Sequence, residues 1–375
     1  MLHDHSQLRD HFAELLKRKR NYRQEIKDLV KHYDYIVFYG CGAIFNSIVD
    51  TWNAYVGRKV DYCCDSDSVK WGKYFCGTKC LSFQELVKIK NRSAVFITIG
   101  DFEPVFKNLI ESGFPLVNQI YKYDLITSNF LLDQNCLEIG DKLCQACKIL
   151  SDEQSKKVFH AIVNRVLSNG EDIGVMADVC EKNQYFPANI IKLSDHESFI
   201  DVGAFNGDTV KDFIKRVNGK FENIFSFEVN SINFRLLNDN VKNMPNCDRI
   251  RIFELGLWDR ESDIAYSISQ SQSTIGEGEA RGHVVPLDEM LKNEKVTFIK
   301  MDIEGAELQA LKGSKSIIKT QKPKLAICVY HDFKHLWEIP LYIKELVPEY
   351  KIYLRHHTKL EYETVCYAVD RKSVV

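Results

Sequence analysis

The sequence predicts an α/β protein of two Rossmann-like domains joined by a helical connector, and three observations carry that reading. Short apolar, β-rich runs alternate with amphipathic segments, the pattern of parallel, doubly wound sheets. The alternation occurs twice, once from Tyr35 and again from Ser198. At 375 residues the chain also exceeds one comfortable core, so two domains are expected. The expected boundaries are 1–130 for the first domain with its leading helix, 131–190 for the connector and 191–375 for the second domain.

Composition narrows the class. Hydrophobic residues make up 45% and charged residues 27% of the chain, as in soluble globular proteins. With 50 basic and 52 acidic residues the net charge is −2, which excludes a global field that would recruit nucleic acid or an anionic membrane. No apolar run approaches the roughly 18–20 residues that span a bilayer, and residues 1–9 lack the apolar core of a signal peptide. A cytoplasmic protein is expected, with neither a membrane span nor a nucleic-acid partner. The twelve cysteines are scattered through apparent strands and helices and are expected to be reduced and buried. Cys144 and Cys147 form a C-x-x-C, but no second pair or spaced histidines stand nearby to complete a zinc site.

Residues 1 to about 32 follow a helical pattern through Leu15, Leu16, Ile26, Leu29 and Val30, with the basic run at 17–20 expected on a solvated face. The strand at 35–39 leads into Gly40-Cys-Gly42 and a helix carrying Ile48, Val49 and Trp52. A second strand, 60–64, ends at Asp65, and Ser82 caps a short helix. A third strand at 94–99 precedes a helix through Val105, Phe106, Leu109 and Ile110. Gly40-x-Gly42 after a strand, with Asp65 at the next strand end to face a ribose, is part of a dinucleotide fingerprint. Phe45 occupies the third glycine position. Three uses stay open: a nicotinamide cofactor, a sugar nucleotide or acceptor, or a structural or dimerising role.

The stretch from about 125 to 190 is mostly helical in pattern, with Asn169-Gly170 as a stop signal. Tyr185-Phe-Pro187 either covers the second domain's cleft or packs in its core. Strands then fit 198–202, 223–228, 249–255, 296–302, 323–330, 350–355 and 363–369. Helices fit 207–217, 231–241, 286–292, 305–318 and 336–346. Five βα-like units and two closing strands give a mostly parallel seven-stranded sheet with an antiparallel edge. The insert at 261–283, polar and glycine-rich, is a candidate hairpin or loop over the cleft.

Phe199-Ile-Asp-Val-Gly-Ala-Phe-Asn-Gly207 joins a strand to a helix through a glycine turn, where free N–H groups can meet a nucleotide-like ligand. Residues of about 197–370 resemble the FkbM family of S-adenosylmethionine-dependent methyltransferases. The matching stretches are Ile200-Asp-Val-Gly-Ala-Phe-Asn-Gly207, Phe225-Ser-Phe-Glu228, Pro286-Leu-Asp-Glu289 and above all Lys300-Met-Asp-Ile-Glu-Gly-Ala-Glu307. Val229 stands where the family commonly shows proline. The resemblance implies a class I methyltransferase fold for the second domain and a carbohydrate acceptor. Two-domain members with a Rossmann-like first half share this layout.

The methyl donor's parts then find candidates. Asp201, Gly203, Ala204, Asn206 and Gly207 surround the methionyl part, and Glu228 at the second strand's end takes both ribose hydroxyls. Glu254, Gly256 and Leu257 flank the adenine. The strand at 296–301 delivers Asp302 and Glu304 to the carboxyl edge of the sheet, and period-two alternation puts Lys300, Asp302 and Glu304 on one side. O-methylation requires an aligned hydroxyl and removal of its proton. His331 is the expected base, with Asp302 and Glu304 as catalytic carboxylates. An orienting histidine, or a divalent metal held by Asp302, Glu304 and His331, are the open alternatives. Lys300, Arg355 and His356 are candidate substrate-binding residues. The expectation is an O-methyltransferase acting on a nucleotide sugar or surface glycan, with a homodimer as candidate assembly. A nucleotide-sugar oxidoreductase using the first domain and a non-catalytic assembly subunit are the alternatives.

Overall fold

A computed structural model describes residues 5–100, 102–120, 135–167, 175–269, 272–275 and 280–370. The chain forms two compact units, Met1–Cys144 with His160–Met176, and Gln145–Phe159 with Ala177–Val375.

The first unit runs α1 (His5–Val30), β1 (Tyr35–Tyr39), α2 (Ala43–Val56), β2 (Tyr62–Cys64), β3 (Tyr74–Phe75), β4 (Thr78–Leu81), α3 (Phe83–Lys88), β5 (Ser93–Ile97), α4 (Glu103–Glu111) and β6 (Leu116–Gln119). Its six strands are ordered β3-β4-β2-β1-β5-β6, parallel except for β3. Both faces of such a sheet are covered, so β1 and β5 read as continuous apolar runs rather than alternating ones. Ser82 caps α3 in a capping box with Glu85. Phe45 is fully buried and meets Phe38 edge-on at 6.0 Å, so an aromatic ring fills the space that a third glycine would leave for close helix–strand packing. β3, β4 and β6 go beyond the sequence expectation. β3 and β4, two and four residues about a Cys76-Gly77 turn, are too short to show a period. Lys19 is buried, a correction to the expected solvated face, while Lys17 and Arg18 are exposed.

Two helices, α5 (Cys136–Lys148) and α6 (Glu153–Leu167), are divided between the units. Cys144 and Cys147 are buried, and no cysteine among the described residues is in a disulfide; Cys76, Cys180 and Cys247 are exposed, a correction to the expected burial. The stop signal at Asn169-Gly170 lies outside the described residues.

The second unit continues with β7 (Ser198–Val202), α7 (Asp208–Arg216), β8 (Asn223–Phe227), α8 (Ser231–Val241), β9 (Ile250–Phe253), β10 (Gly256–Leu257), β11 (Ser262–Ser269), β12 (Gln272–Ile275) and β13 (Ala280–Val285). It ends with α9 (Leu287–Met290), β14 (Phe298–Met301), α10 (Glu307–Lys312), α11 (Lys315–Gln321), β15 (Lys324–Cys328), α12 (His335–Leu346), β16 (Lys351–His356) and β17 (Thr364–Val369). Seven strands are ordered β16-β17-β15-β14-β7-β8-β9, with β17 antiparallel to β15 and β16 and the rest parallel. Phe199 stacks on Phe213 at 4.6 Å, and Phe186 meets Phe298 at 5.7 Å, fixing strands and helix to one aromatic core.

The insert is a second sheet of order β10-β13-β11-β12, not a loop. It packs against the end of β8, where the Tyr266 hydroxyl donates to the Val229 carbonyl at 3.2 Å. The expected helix at 305–318 is broken into α10 and α11 at Gly313-Ser314, where the backbone passes so close to Trp258 that a Cβ at Gly313 would lie 1.9 Å from its carbonyl oxygen. Among the described residues, no helix is long and apolar enough to cross a membrane.

Candidate active site

Register builds the site's foundation. β7 and β14 pair with Lys300 opposite Asp201. The Lys300 Nζ lies 2.9 Å from an Asp201 oxygen and donates to the carbonyls of Gly203 and Val202 at 2.8 and 3.3 Å. Burial alone would lower the lysine, but Asp201 and Asp302 hold it above its ordinary range; burial raises Asp201. Gly203 sits at φ +74, where a Cβ would stand 2.0 Å from the Asp302 carbonyl oxygen. Its N–H and that of Ala204 both donate to Phe227 at 3.0 Å, which clamps the turn between two strand ends.

Glu228 follows β8. One carboxylate oxygen accepts the Phe205 N–H at 2.9 Å and the other the Asn230 N–H at 2.8 Å. Burial raises this carboxyl, opposed by the two N–H bonds. It lines a cavity of about 370 Å³, a small-molecule size. Around Glu228 the lining includes Gly203, Phe205, Asp208, Thr209, Gly256, Leu257, Ile264 and Val284. Around Asp302 it includes Gln184, Tyr185, Lys300, Glu304, Tyr330 and Glu363.

Asp302 accepts the Tyr185 hydroxyl at 2.7 Å and the Tyr330 hydroxyl at 2.9 Å, one on each oxygen. Burial would raise it, but His331 and Lys300 hold it below the ordinary range. β14 ends at Met301, so strand alternation does not carry Glu304 to its place; a left-handed backbone at φ +55, followed by Gly305 at +101, does. Burial pushes Glu304 and Glu363 each up to about 7. Glu307, fully buried, accepts the Ile303 N–H at 2.9 Å and lies 2.8 Å from His331 Nδ1 and 3.3 Å from His335 Nδ1. Burial would lower His331, but Glu307, Asp302 and Glu304 outweigh it and raise the imidazole to about 9. That places the imidazole above the range expected of a near-neutral base.

Residues 201–358 match the model of the methyltransferase FkbM domain. Over that stretch, under half of the chain, the protein is similar to FkbM methyltransferase domains. The crystal structure of methyltransferase FkbM from Methylobacillus flagellatus KT superposes with a TM-score of 0.77 at 21% identity, covering 97% of this chain and 100% of that one, a likeness of fold. An rRNA methylase from Streptococcus thermophilus gives 0.32 at 13% identity over 48% of this chain and 88% of its own. No curated protein matches the chain by sequence.

Within the matched stretch the expected residues separate into those at the cavity and those behind it. Gly203, Glu228, Gly256, Leu257, Asp302 and Glu304 line the cavity. Asp201 stands behind it and acts through Lys300, which is itself occupied by the turn rather than available to a substrate. Ala204 is in the core, the Asn206 carbonyl is bonded by Asn240 at 2.8 Å, and Gly207 opens α7 at φ +86. Arg355 and His356 are corrections. Arg355, 2% exposed, reaches Asp152 at 2.6 Å, Ser155 at 2.9 Å and Glu181 at 3.3 Å, tying the connector to β16. His356 is buried against Thr364 at 2.8 Å, and burial lowers it to about 4. Sequence reasoning missed Phe205, Thr209, Gln184, Tyr330, Glu307 and Glu363 as parts of the site. Phe205 and Glu307 had a signal, since each stands in a stretch that carries the family resemblance.

Proposed function

We propose that the protein transfers a methyl group from S-adenosylmethionine to a hydroxyl of a carbohydrate, either a nucleotide sugar or a surface glycan. The observation that carries this reading is Glu228. Each of its oxygens accepts one backbone N–H, which leaves acceptor capacity at the cavity it lines. A ribose diol suits such a carboxylate, because two O–H groups can donate to it in charge-assisted hydrogen bonds. In this reading Gly203 and Phe205 face the methionyl part, and Gly256, Leu257, Ile264 and Val284 enclose the adenine.

In-line displacement at the sulfonium needs the acceptor oxygen held behind the methyl group and its proton removed. Asp302 and Glu304, which line the cavity, are the carboxylates we assign to that step, with the His331 imidazole beside both. Gln184, Tyr185, Tyr330 and Glu363 supply the hydrogen-bonding side chains that a polyhydroxyl acceptor uses. The reaction belongs in the cytoplasm, where the donor is made, with the first unit in a structural or dimerising role. Use of that unit for a nicotinamide dinucleotide is disfavoured by Asp65, whose oxygens are taken by the Cys41 and Asp67 N–H groups and by Lys70.

Calorimetry of the full chain with S-adenosylmethionine, S-adenosylhomocysteine and NAD tests the reading, followed by transfer of a labelled methyl group across nucleotide sugars and oligosaccharides. Saturable binding of both sulfur ligands, none of NAD, and label on a sugar hydroxyl are expected. Binding of NAD without binding of either sulfur ligand sinks the proposal.

A further inference from the structure

His331 is held from one side only. Its Nδ1 lies 2.8 Å from Glu307, whose same oxygen accepts the Ile303 N–H, so Nδ1 carries a ring proton and the neutral ring's lone pair is at Nε2. That Nε2 makes no hydrogen bond although the side chain is only 7% exposed. It is aimed between two carboxylates, 3.5 Å from an oxygen of Asp302 and 3.5 Å from one of Glu304. Donor atoms about 3–3.5 Å apart are what neighbouring ligands present when each is roughly 2.1 Å from one ion.

Charge points the same way. Asp302, Glu304, Glu307 and Glu363 converge on this corner, where the cations acting on them include His331, His335 and Lys300. Lys300 is engaged by Asp201 and two carbonyls, and His335 faces the far oxygen of Glu307 at 3.3 Å. Glu304 is brought in by a left-handed backbone that a non-glycine residue adopts only at a cost of about 1–3 kcal/mol. Strain of this kind is retained where the side chain's position matters.

We propose that Asp302, Glu304 and His331 Nε2 form a divalent-cation site at the cavity, with Glu307 as the positioning residue that fixes the imidazole. Two carboxylates with one imidazole suit magnesium or manganese, whose remaining positions stay open to water or a ligand oxygen. The carboxylate behind the imidazole is the outer partner that metal-binding histidines use. The consequence for catalysis, a cation that acidifies the acceptor hydroxyl, rests on the methyl-transfer reading. The binding of the ion does not.

Manganese titration of the chelator-treated full chain, followed by electron paramagnetic resonance, is the test, with S-adenosylmethionine affinity measured by calorimetry on the same samples. One saturable manganese site is expected, lost in Glu304→Gln and His331→Ala, and weakened about 10–100-fold in Glu307→Gln. Retained affinity for the methyl donor in Glu304→Gln serves as the check that the variant is folded. No saturable manganese binding by the unmodified chain, or binding that survives both Glu304→Gln and His331→Ala, overturns the proposal. Manganese binding without methyl-donor binding instead removes the methyl-transfer reading and leaves the site standing.

Discussion

Gly40 in the first unit and Gly203 in the second do the same structural work in two different sheets. Each sits at positive φ, +112 and +74, where a Cβ would collide with the end of an adjoining strand segment: Thr98 and Ile99 in one case, Asp302 in the other. Each turn is also tied to a carboxylate after the next strand, Cys41 N–H to Asp65 at 2.9 Å and Phe205 N–H to Glu228 at 2.9 Å. The difference is in what else those carboxylates meet. Asp65 takes Lys70 at 2.8 Å, and Thr98 donates to the Gly40 carbonyl at 2.9 Å, so the protein closes that turn with its own groups. Glu228 forms no ion pair among the described residues and lines a cavity. A glycine turn therefore reports how strands pack. An unneutralised carboxylate beside it is the better sign of a ligand.

The largest effect expected from this contrast is on folding. Gly203→Ala combines a left-handed backbone with an overlap against the Asp302 carbonyl and is expected to cost about 3–5 kcal/mol in urea unfolding. Gly42→Ala, at φ −102 with nothing within 4 Å of the new methyl, is expected to stay within about 0.5 kcal/mol. Equal unfolding midpoints for the two variants break the packing account. Lys300→Met comes next. It leaves Asp201, 0% exposed, as an uncompensated buried carboxylate, for a loss of about 3–5 kcal/mol. Adding Asp201→Asn should restore most of that, since the pair is then neutral. Lys70→Met removes a cation that is 30% exposed from a carboxylate still bonded by two backbone N–H groups, with a loss of about 1 kcal/mol.

Much of this was legible in the sequence, because strand–turn–helix grammar is local. β7 follows its apolar run to the residue, and the carboxylates at 228 and 302 stand just past the carboxyl ends of their strands. Identity of the neighbours was not legible. Arg355 looks like a substrate residue at a strand end, yet its partners are Asp152 and Ser155, some two hundred positions away. Lys300 looks like a site residue until β7 supplies Asp201 opposite it. Glu304 shares the parity of Lys300 and Asp302 only by accident, since the strand has ended and a left-handed turn sets its direction. Parity is a strand property and fails at the first turn residue.

Ligand affinity separates the two turns less violently. Glu228→Gln keeps the shape but loses the charge in its hydrogen bonds, and is expected to weaken S-adenosylmethionine binding about 10–100-fold, or about 1.4–2.7 kcal/mol. Asp65→Asn should leave that affinity unchanged. Calorimetry on both variants reads this directly. A matching loss in Asp65→Asn means that Glu228 is not distinguished from Asp65 by contact with the methyl donor.

The smallest effect is the sharpest test of neutralisation, and it is a matter of sign. Glu197 is a buried carboxylate that burial would raise, but Lys324 at 2.7 Å, with Thr297 and the Ser194 N–H, holds it below its ordinary range. Its contribution to stability is present above the unfolded value of about 4.3 and is lost as pH falls through the folded one. Glu228 has the opposite displacement, raised by burial, so its ionisation costs stability above the unfolded value and that cost disappears on acidification. Glu197→Gln is therefore expected to be less stable than the unmodified chain at neutral pH, by about 1 kcal/mol, and to converge with it towards about pH 3. Glu228→Gln, without ligand, is expected to be the more stable chain at neutral pH and to converge from the other side. Urea midpoints measured for all three chains from neutral to acid pH decide it. If both variants deviate from the unmodified chain in the same direction at neutral pH, pairing with a cation is not what distinguishes these carboxylates.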